Sequence, residues 1–363
     1  MSTVRVGLRC DAGPQRGVGH LVRSLALGEE LLARGAAVEV FGAVAGVDWA
    51  AGQLAARGIP LRPGPDTPHG LVAAARRHAL DAVVLDSYEL DPAGAGALRA
   101  AGVLTLAIVD GDTRGQDADL YLDQNFGTDL VVPAGRLLAG SAYALLRDSV
   151  LAARPAAARP AMQVDRPTVL AFFGGTDAAG AAPLLTEVLL ATGRPMDLTV
   201  VAGRPETADR LARLTPGPGQ AVLPVPPTDA LPALIAGADL VVSAAGTSVW
   251  ELCCLAAPSA LVCVVDNQRE SYRRVVAAGL AAGLGELPAL TASGTTGQAT
   301  RATAAHTLDE LLTSGERRAA LSARARTAVD GRGRARVVDA VLDALHRQRL
   351  PVVRAVRPPA RRW

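Results

Sequence analysis

The sequence predicts an α/β protein made of two parallel-sheet halves in tandem, on three observations. Short runs of strand length alternate with longer stretches of helical period. Those runs are mostly continuous in apolar residues, as strands covered on both faces require. The alternation breaks at an alanine-rich, proline-containing segment, residues 151–160 (LAARPAAARP), and then restarts. At 363 residues the chain exceeds one ordinary core, in keeping with two domains of about 150 residues. The expected division is a Rossmann-like domain over 1–150, a linker over 151–160, a second Rossmann-like domain with closing helices over 161–346, and a basic tail over 347–363.

Each element follows from local pattern. Residues 4–8 are an apolar run that ends in a glycine-containing loop, 11–19, and passes into an apolar-periodic stretch over 21–32, which reads as strand, loop, helix. A strand at 37–41 is followed by helical stretches over 49–56 and 71–79, a strand at 82–85 ending at Asp86, and a buried strand at 103–109 ending at Asp110. After the linker come a strand at 168–173, a helix over 179–191, a strand at 197–201, a helix over 229–236, a strand at 240–242, a helix over 247–256 and a strand at 260–265. Helices over 301–312, 316–329 and 334–345 close the fold. The last residues carry Arg349, Arg354, Arg357, Arg361 and Arg362 among prolines with no acid, and read as a solvated tail.

Composition excludes several chemistries. All 37 basic residues are arginine, so a lysine-bearing phosphate loop, a Schiff-base enzyme and a pyridoxal-phosphate enzyme with its internal aldimine are ruled out. A net charge of +2 is not the footprint of a nucleic-acid binder. The four cysteines, Cys10, Cys253, Cys254 and Cys263, form no CxxC pair, and the start MSTVRVGLRC has no signal-like apolar run. Reduced thiols in a cytoplasmic protein are therefore expected, without a membrane span. His20, His69, His78, His306 and His346 lie in no metal-binding spacing, so neither a metal site nor a cofactor is expected.

In open parallel sheets ligands bind at the carboxyl ends of strands, which directs attention to four loops. The first, RCDAGPQRGVGH, contributes Asp11, Gly17, Gly19 and His20. Its late glycines allow close approach of backbone to a ligand. His20 falls in the first turn of the helix, where the dipole disfavours an imidazolium and leaves a base or acceptor. The alternative is a histidine that only caps the helix. The second loop carries Gly174, Gly175, Thr176 and Asp177, and the third Ser243, Gly246, Thr247 and Ser248, with Glu251 one turn into the next helix. Helix-start amides suit a diphosphate, and a carboxylate suits the two ribose hydroxyls. A capping box between Ser or Thr and Glu251 fits the same spacing. The fourth loop, Asp266-Asn267-Gln268, offers amide donors and acceptors suited to sugar hydroxyl and acetamido groups.

Taken in order, RCDAGPQRGVGHLVRSLALGEEL, VVLDSYELD, GSAYALLRDSV, FFGGTDAAG, ADLVVSAAGTSVWELCCLAAPS with VVDNQRE, and DGRGRARVV resemble the UDP-sugar hydrolase family of the pseudaminic acid pathway. They equally resemble its relatives among spore-coat polysaccharide biosynthesis proteins. The family is similar in fold to the GT-B glycosyltransferases, especially the lipid II-forming N-acetylglucosaminyltransferase. The resemblance implies a GT-B-like α/β fold, two Rossmann-like domains facing a central cleft. The implied reaction is metal-independent hydrolysis of UDP-2,4-diacetamido-2,4,6-trideoxy-β-L-altrose to free sugar and UDP, with inversion at the anomeric carbon. It implies His20 as the residue that activates water, and Tyr88 and Asn267 as catalytic-site residues that hold the sugar. Gly174, Gly175, Gly246, Thr247 and Ser248 would lie on the diphosphate, Glu251 on the ribose, and Asp11, Gly17, Gly19, Thr176, Asp177, Ser243 and Gln268 around the substrate. Arg16 and the Arg-bearing tail depart from the family pattern. The rival reading is a GT-B glycosyltransferase that moves the sugar to an acceptor, since fold alone does not decide function. A third is a nucleotide-sugar-binding subunit without catalysis.

Overall fold

The computed structural model describes residues 3–13, 18–44, 48–132 and 135–349. The first half runs β1 (Arg5–Cys10), α1 (Gly19–Ala33), β2 (Ala37–Phe41), α2 (Asp48–Ala56), β3 (Leu61–Arg62), α3 (Pro68–Arg77), β4 (Ala82–Asp86), α4 (Gly94–Ala100), β5 (Leu104–Ile108), β6 (Leu120–Asp123), β7 (Arg136–Ala139) and α5 (Asp148–Ala152). The second continues with β8 (Thr168–Phe172), α6 (Ala181–Leu190), β9 (Met196–Val201), α7 (Pro205–Ala212), β10 (Gln220–Val225), α8 (Leu231–Gly237), β11 (Leu240–Ala244), α9 (Ser248–Cys254), β12 (Ser259–Cys263), α10 (Arg269–Ala277), β13 (Ala282–Glu286), α11 (Leu287–Thr291), α12 (Gly294–Thr313), α13 (Gly315–Ala328) and α14 (Gly333–Arg349).

Two sheets result, one of seven strands in the order β3-β2-β1-β4-β5-β6-β7 and one of six in the order β10-β9-β8-β11-β12-β13. The pairings within them are parallel. In both, the order reverses beside the first strand, between β1 and β4 and between β8 and β11. Loops leave in opposite directions at such a point and open a crevice. The apolar runs that marked the strands are buried on both faces, as in Val6, Leu8, Val84 and Leu106 of one sheet and Val169, Leu198, Val242 and Val262 of the other.

The strands that local pattern missed are short, at a sheet edge, or both. β3 is two exposed residues, β7 is an edge of four residues, and β10 alternates in burial and contains Pro224, which only an edge position tolerates.

The closing helix corrects the expected domain division. Val337, Val338, Val341 and Leu345 of α14 share one core with Leu8, Leu25 and Leu106 of the first sheet, although the sequence reading grouped this helix with the second half. Each large aliphatic buried this way contributes about 1.5–3 kcal/mol. The return passes through a tight point, since a Cβ on Gly333 would lie 2.3 Å from the Ala144 carbonyl oxygen. Glu29 of α1 secures the crossing by accepting from Arg57 (2.7 Å), the Asp148 amide (2.6 Å) and Arg334 (2.9 Å). α14 also extends into the expected tail as far as Arg349, which pairs with Asp81. The remaining tail, 350–363, lies outside the described residues. Among the described residues no helix is long and apolar enough to cross a membrane.

Candidate functional site

His20 and Arg23 are one turn apart on α1, so both side chains reach the carboxyl end of β4. There Asp86, 1% exposed, meets both. Its Oδ1 lies 2.6 Å from His20 Nδ1 and accepts from Arg23 Nη2 at 2.6 Å, while its Oδ2 accepts from Arg23 Nε at 2.7 Å. Arg23 also donates to both oxygens of Asp110, just after β5, at 3.1 Å. The Tyr88 hydroxyl donates to Asp110 Oδ2 at 2.6 Å. The rings of His20 and Tyr88 meet edge to face with centroids 4.6 Å apart, and the Arg114 guanidinium lies over the Tyr88 ring, 3.9 Å from its centroid.

Burial is the largest influence and raises both carboxyls, but the Arg23 charge and hydrogen bonds, together with His20 at Asp86 and Tyr88 at Asp110, outweigh it. Both are held below the ordinary carboxylate range. Burial, reinforced by the charge on Asp110, pushes the Tyr88 hydroxyl up, so it remains a donor. An ionised carboxylate 2.6 Å from a ring nitrogen requires a proton between them. That assigns hydrogen to Nδ1 of His20, so that in the neutral ring the lone pair stands on Nε2. No side-chain cap bond forms at the start of α1, so His20 is held by Asp86 and does not cap its helix.

A pH dependence follows, with its sign set by the depressed carboxyls. Their contribution to stability is complete above the unfolded value of about 4 and is lost as pH falls through the lower folded values. Denaturant midpoints should therefore be level from neutral pH to about 5 and fall below about 4. Asp110→Asn should show the shallower acid slope. Equal slopes for wild type and variant over pH 7 to 3 would contradict ionised, paired carboxylates.

Opposite this cluster stands the second domain, across a cleft of about 530 Å³, within the usual range for small-molecule sites. Gly19, His20, Arg23, Tyr88 and Asp110 line one wall and Gly246, Thr247, Trp250, Asn267 and Gln268 the other. A Cβ on Gly19 would lie 3.3 Å from the Thr247 hydroxyl, so the starts of α1 and α9 face each other closely. Gln268 braces its wall by accepting from the Val264 amide at 3.0 Å. The domains also touch on the flanks, where Trp49 and Gln53 donate to Asp229 at 2.6 and 2.8 Å and Arg274 pairs with Asp129 at 3.0 Å.

The other candidates sit elsewhere. Asp11 pairs with Arg9 at 2.8 Å and accepts from the Ala43 amide at 2.8 Å, tying two loops of its own domain. Gly17 and Arg16 lie outside the described residues. Gly174 has a φ of +78° and Asp177 one of +43°, and the Gly175 position abuts Val18 of the first domain. Asp177 accepts from the Ala181 and Ala182 amides at 2.8 and 3.1 Å; burial pushes its carboxyl up, against those amides and Arg204. Thr176 lies between these positions, and Ser248 begins α9. Ser243 is fully buried in β11.

Glu251 is the main departure from expectation. Its side chain is 8% exposed and pairs with Arg147 at 3.1 Å, and it does not line the cleft. The capping box is not formed either, as Thr247 makes no side-chain cap bond. Arg23, Asp86 and Asp110 are the functional candidates that sequence reasoning missed. Their signal was present in two strands that end in aspartate and in the three-residue spacing of His20 and Arg23. The four cysteines are free and buried, and burial pushes the Cys10 and Cys253 thiols up to about 12.

No protein-family model matches the chain, and no curated protein matches it. Solved structures do. MurG of Acinetobacter baumannii aligns with a TM-score of 0.66 at 18% identity over 94% of this chain and 99% of that one. The glycotransferase of kitacinnamycin aligns with a TM-score of 0.58 at 18% identity over 96% and 99%. The UDP-GlcNAc 2-epimerase of Neisseria meningitidis, bound to UDP-GlcNAc, aligns with a TM-score of 0.55 at 12% identity over 94% and 100%. With two parallel sheets of seven and six strands facing a cleft, the chain has the GT-B fold.

Proposed function

We propose that the chain is an enzyme that hydrolyses a UDP-activated amino-deoxy sugar to free sugar and UDP. The observation that carries this reading is the 2.6 Å contact between His20 Nδ1 and Asp86 at the wall of the cleft. With Nδ1 committed, Nε2 is the atom that receives a proton. A water held by Nε2 attacks the anomeric carbon from the face opposite the diphosphate. As the new C–O bond forms, the water proton passes to Nε2. The bond from the anomeric carbon to the β-phosphate oxygen breaks, with its electron pair leaving on UDP, and the configuration inverts. UDP departs as an anion that backbone amides and hydroxyls stabilise, so no strong general acid is required.

Of the residues that line the cleft, Gly246 and Thr247 are assigned to the diphosphate and Tyr88 and Asn267 to the sugar; Gly174, Gly175 and Ser248 are added to the diphosphate on the resemblance of their motifs alone. Glu251 is left out of the nucleotide contacts because its carboxylate is given to Arg147. Support for a UDP-sugar comes from the fold shared with an epimerase bound to UDP-GlcNAc and from the ordered motifs. The same fold in a glycotransferase makes transfer to an acceptor the rival outcome of the test. That test is UDP release by purified protein from UDP-2,4-diacetamido-2,4,6-trideoxy-β-L-altrose, with and without candidate acceptors, the product anomer being followed by NMR before mutarotation. Release without acceptor and with inversion is expected. A strict acceptor requirement with a glycoside as product overturns hydrolysis.

Turnover is expected to survive EDTA. Among the described residues no three His, Cys, Asp or Glu are grouped to hold a metal ion, which leaves the leaving group to amides and hydroxyls. Loss of activity with EDTA and its return with magnesium or manganese would count against this assignment.

A further inference from the structure

We propose that Arg23 is a positioning residue that joins the His20–Asp86 pair to the Tyr88–Asp110 pair, holding the base and the sugar-facing hydroxyl in one unit. This deepens the hydrolase reading and rests on it for the identity of the base. The geometry is unusual for a surface-cleft arginine. Arg23 is 2% exposed, and its Nε, Nη1 and Nη2 donate to four carboxylate oxygens of two aspartates. A fork with donors in fixed directions reaches both carboxylates, which a point charge does not.

Nη2 stands 3.2 Å from His20 Nδ1. Because Nδ1 carries the proton given to Asp86, this approach is electrostatic and opposes a second positive charge nearby. Two aspartates alone would favour an imidazolium, which has no lone pair on Nε2 and is inert as a base. Arg23 offsets them while leaving the Nδ1 proton in place. On the other side it divides Asp110 between itself and Tyr88, so the tyrosine hydroxyl is aimed by the same guanidinium.

The charged and titratable neighbours agree with this division. From β1, Cys10 faces Asp86 as a neutral thiol. From the loop after β4 comes Tyr88, and after β5 Asp110, with Asn125 donating to Asp110 Oδ1 at 3.4 Å. Arg114 lies over the Tyr88 ring. Among the described residues Arg23 is the cation that contacts both aspartates.

The test needs no substrate in its first arm. The ring nitrogens of His20 are followed by NMR across pH, their signals identified by loss in His20→Asn. Wild type is expected to carry its proton on Nδ1. Arg23→Gln is expected to move the charging of the His20 ring to higher pH by about 1 unit or more. Should that variant fail to fold with two uncompensated carboxylates, Arg23→Gln with Asp110→Asn keeps the net charge, and a smaller displacement in the same direction is expected, because the guanidinium 3.2 Å from His20 Nδ1 is lost together with one carboxylate. Arg23→Lys keeps the charge and should stay nearer wild type. In the second arm, the acid limb of kcat/KM should move with the ring. Turnover at pH 6 should fall about tenfold and recover toward pH 9. A folded double variant whose His20 tautomer and titration match wild type overturns the proposal and leaves Arg23 a structural ion pair. If the ring titration moves as expected but wild type releases no UDP without an acceptor, the hydrolase reading fails while the role of Arg23 stands.

Discussion

Replacing His20 with asparagine is expected to lower turnover by roughly 10² to 10⁴, the usual worth of a positioned general base, with little change in UDP-sugar affinity. The amide still donates toward Asp86, which keeps that buried carboxylate partnered, but it has no basic nitrogen where Nε2 stood. Stability should therefore change far less than rate. Steady-state kinetics beside a thermal melt separates the two effects. A variant that keeps more than a tenth of wild-type turnover would place the base elsewhere. The product matters as much as the rate: if His20→Asn abolishes glycoside formation from an acceptor and wild type makes no free sugar, the same base serves a transferase.

Glu251→Ala is expected to destabilise the fold by about 3–5 kcal/mol, because it leaves a buried guanidinium without its counter-charge. Arg147 is 7% exposed on its side chain, its Nε already has no partner among the described residues, and its remaining neighbour of note is the Trp49 ring at 5.7 Å. Removing both charges together, as Glu251→Leu with Arg147→Met, should restore most of that loss, since apolar replacement of a buried ion pair is often near neutral. Chemical denaturation of the two single variants and the double variant measures this coupling. Calorimetry of UDP on Glu251→Gln adds the functional arm. Unchanged affinity is expected from the pairing with Arg147, whereas a loss of tenfold or more would return Glu251 to the ribose hydroxyls.

Local pattern was enough to locate much of this architecture. Doubly covered strands must be mostly apolar, and helices between them must carry one apolar stripe, so the alternation and its restart after residue 160 were legible without any long-range information. The same holds for His20, Gly19, Gly246, Thr247, Asn267 and Gln268. Each stands in a loop at the carboxyl end of a strand or in the first turn that follows it, and parallel topology carries such loops to one crevice.

What the sequence by itself determined was thus most of the central elements, the fold class and the loops that meet at the cleft. The tertiary structure alone decided the partners. An amphipathic helix records which of its faces is apolar, but hydrophobic attraction has no direction. Nothing local could say that Val337 and Val341 pack on the first sheet. Ion pairing depends on distance in space, and Arg23 lies 63 positions from Asp86 and 87 from Asp110. The β1–β4 reversal and the end of β5 bring the three together. Glu251 has the spacing of a cap or a ribose ligand, yet folding sets Arg147 beside it from 104 positions away. A buried charge takes the nearest opposite charge, and only the packed chain determines which one that is.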